Sequence, residues 1–169
     1  ISDQYGKFSM VKVIRGHITS DMALYNPTTG HTEKLGRLYI MKGKKTEETK
    51  EICCGDIAAI GKMDKVKTGD TLCEAKHIVK LEGMSYAKPC YSRAISPKVK
   101  QEIEKLGAGL HKLNEEDPTF TVVNNAETHQ TVISGAGDIQ IDILCAKLKS
   151  RFGVDSELSA PRVAYREKI

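Results

Sequence analysis

The chain has 169 residues, of which 40% are apolar and 28% charged, and it carries a formal net charge of +4. That length suits one or two small domains with modest cores. The charge lacks the strong bias of dedicated duplex-DNA binders, and apolar runs as short as Ile57 to Ile60 fall far below the ~20 residues that cross a bilayer, so neither DNA nor a membrane is expected as a partner.

Turn signals punctuate the first half of the chain. They are Tyr5-Gly6, Arg15-Gly16, Asn26-Pro27, Thr29-Gly30, Lys42-Gly43, Gly55-Asp56 and Thr68-Gly69-Asp70. Between them lie short β-rich runs at Phe8 to Ile14, Met22 to Tyr25, Glu33 to Met41, Ile57 to Ile60 and Thr71 to Cys73, and only Thr46 to Lys50 has the composition of a helical turn. Short strands with regular turn punctuation predict a small antiparallel barrel over residues 1–83.

The period changes after Glu82-Gly83. Tyr86 to Ile95 reads as a strand, and Ser96-Pro97 as a helix start with Ser at the N-cap. Val99, Ile103, Leu106, Leu110 and Leu113 then form an apolar stripe at helical spacing, which Asp117-Pro118 stops. Thr119 to Val123 and Gln130 to Ser134 predict two strands, joined by a turn over 124–128. A second helix is expected over Asp138 to Phe152, ended by Gly153, and a last strand over Val154 to Leu158. Strand, helix, strand, strand, helix, strand is the ferredoxin-like βαββαβ order over 84–169, with both helices on one face of a four-stranded antiparallel sheet.

Several chemistries lack their residues. No Gly-x4-Gly-Lys-Ser/Thr phosphate loop occurs, so nothing cradles a nucleotide triphosphate in that manner. Gly61-Lys62-Met63-Asp64 resembles a guanine-reading motif without its Asn and reads better as a charged turn. The cysteines Cys53, Cys54, Cys73, Cys90 and Cys145 show neither Cys-x-x-Cys spacing nor an even count, which predicts mostly buried free thiols of a reducing cytoplasm and no metal site. Ser134-Gly135-Ala136-Gly137-Asp138 is a strand-to-helix turn in which Asp138 disfavours a phosphate and favours capping. The third strand of the second unit lacks the aromatics of an RNA-recognition sheet. Arg37, Lys42, Lys44 and Lys45 form a basic cluster, either a solvated loop or a phosphate contact.

Longer phrases add a family resemblance. Glu115-Glu116-Asp117-Pro118-Thr119-Phe120, Glu127-Thr128-His129-Gln130-Thr131-Val132-Ile133-Ser134-Gly135-Ala136-Gly137-Asp138 and Pro161-Arg162-Val163-Ala164-Tyr165-Arg166-Glu167 resemble the third domain of the elongation factor G family. Gly6-Lys7-Phe8-Ser9, Val13-Ile14-Arg15-Gly16, Ala23-Leu24-Tyr25-Asn26, Gly55-Asp56-Ile57 and Thr68-Gly69-Asp70-Thr71-Leu72 resemble its second domain. Departures are Gln140 for a family His, Ala136 for Met, Asp138 for Glu and His129 for Gly, the pattern of a divergent paralogue.

The resemblance implies a non-catalytic middle fragment of a translational GTPase whose GTP and Mg belong to a missing domain. It places a further barrel strand ahead of Asp3, and the link to a fourth domain at the end. Implied partners are the ribosome, through small-subunit rRNA and protein, and the parent's own GTPase and fourth domains. Arg37, Lys42, Lys44 and Lys45 would face rRNA. Asp117, Pro118, Thr119, Gly137, Gln140 and Leu144 match family positions turned to the GTPase domain, where fusidic acid binds in the housekeeping factor. Two alternatives stay open: a tetracycline-resistance ribosomal protection GTPase, and a self-contained ferredoxin-like ligand-binding regulatory module.

Overall fold

The computed structural model describes residues 7–43, 45–63 and 65–165. The chain divides into two compact units, residues 1–84 and 85–169.

The first unit is all β. Its strands are β1 (Phe8–Lys12), β2 (His17–Thr19), β3 (Ala23–Asn26), β4 (His31–Lys34), β5 (Leu38–Lys42), β6 (Lys45–Thr49), β7 (Glu51–Cys53) and β8 (Ile57–Gly61). A four-stranded sheet runs in the order β1-β8-β5-β6, accompanied by the ladders β2–β7 and β3–β4. Every pairing is antiparallel. Inward-facing Val13, Leu24, Leu35, Leu38, Ile52, Ala58, Ile60, Met63 and Val66 form the core. Asn26 is fully buried yet satisfied: its side chain donates to Asp70 Oδ2 at 2.9 Å and accepts the Thr28 amide at 2.9 Å. One polar side chain thereby staples two of the turns that punctuate the sequence.

Sequence and structure differ here in four places, one of them the short strands β2 and β7, where the sequence predicts no strand. The run Glu33 to Met41 is two strands, β4 paired with β3 and β5 paired with β6 and β8, and between them a Cβ on Gly36 would lie 2.5 Å from the Gly61 carbonyl oxygen. Thr46 to Lys50 is no helical turn but most of β6, whose ladder to β5 overrides its polar composition. Thr71 to Cys73 contributes only an isolated bridge from Cys73 to Tyr25. Tyr5-Gly6, Lys44, Asp64 and the place of a strand ahead of Asp3 lie outside the described residues.

The second unit contains β9 (Tyr91–Pro97), a 3₁₀ turn (Lys100–Glu102), α1 (Ile103–Glu116), β10 (Thr121–Asn125), β11 (Gln130–Gly135), α2 (Asp138–Phe152) and β12 (Ser156–Ser159). The sheet order is β10-β11-β9-β12, antiparallel throughout, which is the ferredoxin-like arrangement. Both helices contact the sheet and each other. Leu106, Leu110 and Leu113 of α1 and Ile141, Leu144 and Leu148 of α2 meet Ile95, Phe120, Ile133 and Val154 in one core. The α2 boundaries fall where the sequence puts them, and Gly153 closes the helix with a left-handed φ of 66°.

The start of α1 differs. Ser96 and Pro97 are the last residues of β9, where they pair with Glu157 and Ser156 of β12, and α1 begins only at Ile103. Pairing with a strand distant in sequence outweighs the local Ser-Pro signal. The thiols differ too: Cys53, Cys54 and Cys90 are exposed, while Cys73 and Cys145 are half-buried.

Candidate functional site

Three elements of the second unit meet at one corner: the end of α1, the approach to β10, and the first turns of α2. Pro118 disfavours helical backbone in the residue before it. Asp117 accordingly takes an extended conformation (φ −129°, ψ 98°) while its amide still caps the Leu113 carbonyl. That geometry lets Asp117 Oδ1 accept both the amide and the hydroxyl of Thr119, the amide at 3.0 Å. It is an Asx-type turn.

Gln140 enters from the other side. It occupies the third position of α2, counted from an N-cap at Gly137 that offers no side-chain cap. Its Oε1 accepts the Ala136 amide at 2.7 Å, and its Nε2 donates to Thr119 Oγ1 at 2.8 Å. A third-position Gln that reaches back to an amide ahead of the helix resembles half of a capping box, shifted by one residue from the N-cap Gly137 to Ala136. Asp138, expected to cap, accepts only the neighbouring Ile139 amide, at 2.8 Å. The result is a directed chain of donors: Ala136 amide to Gln140, Gln140 to Thr119, Thr119 to Asp117.

Lower on α2, at helical spacing from Gln140, Lys147 and Arg151 face the same corner. Arg151 forms a fork to Glu116 at 2.8 and 2.9 Å, the bidentate geometry that strengthens such pairs. That hydrogen bond leads in holding the Glu116 carboxyl below its ordinary value, against partial desolvation. At Asp117 desolvation pushes upward most strongly, but the Thr119 donors, the Lys147 charge and Gln140 together outweigh it and hold the carboxyl low.

The residues singled out in the sequence thus separate. Asp117, Thr119 and Gln140 are brought together; Pro118 is exposed beside them, and Gly137 lies at the helix entrance. Leu144 is 2% exposed and belongs to the core, so it packs beneath this face. Lys147, Arg151 and Glu116 were not singled out. For Lys147 and Arg151 the signal is the 4, 3, 4 spacing of Gln140, Leu144, Lys147 and Arg151 along one helix stripe.

The basic cluster of the first unit sits on the β5–β6 hairpin. Arg37 faces Glu48 at 3.6 Å, and Lys42 holds Glu47 at 2.6 Å. These exposed cross-strand pairs contribute little stability and offset part of the positive charge. Lys45 is exposed opposite Lys42; Lys44 lies outside the described residues. Among the described residues no group of His, Cys, Asp and Glu could hold a metal ion, and no helix is long and apolar enough to cross a membrane.

Residues 6–73 match the family described as elongation factor Tu domain 2, and residues 86–160 the family described as elongation factor G, domain III. Elongation factor G of Gluconobacter oxydans (strain 621H) is 41% identical over 169 residues, covering all of this chain and 24% of that protein. The chain is thus similar to elongation factor G along its whole length. A crystal structure from Thermus thermophilus shares the fold, with a TM-score of 0.79 and 25% identity over 94% of this chain and 24% of that one. This elongation factor G-like chain therefore spans about a quarter of the length of these relatives. What it carries are the second- and third-domain folds, a translation-factor β-barrel followed by a ferredoxin-like sandwich.

Proposed function

We propose that this chain is the non-catalytic middle part of a translational GTPase that acts in the cytoplasm on a translocation-type step of protein synthesis. In this reading residues 1–83 are the second domain, and 84–169 are the third domain with the start of the link to a fourth. GTP and Mg serve a GTPase domain outside this sequence. The barrel hairpin with Arg37, Lys42, Lys44 and Lys45 faces small-subunit rRNA. The corner of Asp117, Pro118, Thr119, Gly137 and Gln140, packed from below by Leu144, faces the GTPase domain and relays its state.

The observation that carries the relay is the donor chain from Ala136 to Asp117. It joins the end of α1, the approach to β10 and the start of α2, so a partner that moves one of them moves all three. Coupling of this kind needs contiguous bonded elements with discrete arrangements.

Gln140→Glu tests it in the protein that carries the flanking domains. Glutamate keeps the size of Gln140 and its acceptor for the Ala136 amide, but it cannot donate to Thr119, and it places a second carboxylate beside Asp117. Ribosome-stimulated GTP turnover is expected to fall about tenfold, or ~1.4 kcal/mol, while far-ultraviolet circular dichroism stays unchanged. Turnover equal to wild type in a folded variant would sink the relay.

A further inference from the structure

The turn Gly135-Ala136-Gly137 holds two glycines for which the structure gives different reasons. Gly137 is fully extended (φ −175°, ψ −178°), and a Cβ there would meet nothing within 4 Å. Any residue fits such a position. Gly135 is buried at the end of β11, and a Cβ on it would lie 2.6 Å from Gln140 Oε1, 3.2 Å from Gln140 Cδ and 3.3 Å from Ile141 Cδ1. The space above its Cα is filled by the Gln140 carboxamide.

The backbone of Gly135 is pinned. Its carbonyl accepts the Cys90 amide at 3.0 Å, the Cys90 thiol donates to the Ala136 carbonyl at 3.2 Å, and Gly135 pairs with Tyr91 in the sheet. A side chain added at 135 is therefore relieved by displacing Gln140, not the strand. Displacing the carboxamide breaks both of its hydrogen bonds, to the Ala136 amide and to Thr119.

We infer that Gly135 is a positioning residue for the α1–β10–α2 corner, its missing Cβ forming the seat of the Gln140 carboxamide. Its functional weight rests on the relay proposed above; the seat itself does not.

A double-mutant comparison in the 169-residue chain tests it. Amide hydrogen exchange at Ala136, read by NMR, is expected to quicken about tenfold in Gly135→Ala and in Gln140→Ala, since each removes the acceptor. In the double variant exchange is no faster than in Gln140→Ala alone, because the added Cβ then has the seat to itself. Should Gly135→Ala unfold the unit, Gln140→Ala must restore folding. Unchanged exchange in Gly135→Ala, or additive effects in the double variant, overturns the inference. In the protein with its flanking domains, Gly135→Ala is expected to lower ribosome-stimulated turnover as Gln140→Glu does. If exchange behaves as stated and turnover does not fall, the seat stands and the relay falls.

Discussion

Asp117 shows how one residue can be legible in type and illegible in role. Its place before Pro118 marks the helix end from sequence alone. Its hydroxyl and amide donor, Thr119, is also readable, because Asp commonly bonds the backbone two residues on. Gln140, 21 residues after Thr119, is readable as its neighbour, because the βαββαβ order brings the start of β10 and the start of α2 to one end of the sheet; the hydrogen bond of 2.8 Å that joins them shows only in the packed structure. The electrostatics give a test. The Asp117 carboxyl is held below its ordinary value of 3.8. A carboxyl depressed in the folded state contributes stability that is fully present above its unfolded pKa and is lost as pH falls through the folded one. Acid should accordingly weaken this unit in the range below about pH 4, with Glu116 acting in the same direction. Thr119→Val removes the hydroxyl donor, so an NMR titration should find the Asp117 pKa raised and the acid loss of stability shallower. An Asp117 titration curve that does not move in Thr119→Val would show that the Thr119 hydroxyl does not set this carboxyl.

The helix α1 poses a second contrast. Gly107 and Gly109 lie two residues apart within one helix, where glycine costs about 1 kcal/mol relative to alanine. A Cβ on Gly107 meets nothing within 4 Å, whereas one on Gly109 would lie 2.9 Å from Leu148 Cδ2 and 3.3 Å from the Phe152 ring. Gly109 is the point where α1 and α2 approach closely, and Leu148 is fully buried. Gly107→Ala should therefore stabilise the unit by about 0.5–1 kcal/mol. Gly109→Ala should destabilise it by about 1 kcal/mol, as the propensity gain offsets only part of an overpacking cost of roughly 1–3 kcal/mol. Urea denaturation measures both; a destabilised Gly107 variant or a stabilised Gly109 variant would contradict this helix packing. The same locality explains which elements could be read in advance. The stripe and Gly153 delimit α2 because both signals lie within the helix. The β9 end and β6 escape a local reading because Ser96, Pro97 and Thr46 to Thr49 take their conformation from partner strands β12 and β5. Three-residue β2 and β7 are too short to show a period at all.

At the scale of the whole molecule, the two described cores have no residue in common. Each unit of 84 or 85 residues is large enough to bury a core of its own, though with modest stability. Phe120 is the largest side chain in the core of the second unit, 1% exposed, and Leu38 is fully buried in that of the first. Phe120→Ala should cost roughly 3–5 kcal/mol of the second unit's stability, and Leu38→Ala roughly 2–5 kcal/mol of the first's. At about 4–8 °C per kcal/mol for domains of this size, each change lowers a melting transition by roughly 10 °C or more. If residues 1–83 and 84–169 are separate domains, calorimetry should resolve two transitions, and each variant should move only one of them. Amide exchange assigns them, with Ile133 and Leu148 following Phe120→Ala, and Ile52 and Ile60 following Leu38→Ala. A single transition that shifts as a whole in both variants would mean that the cores unfold together, and the division into two domains would have to be abandoned.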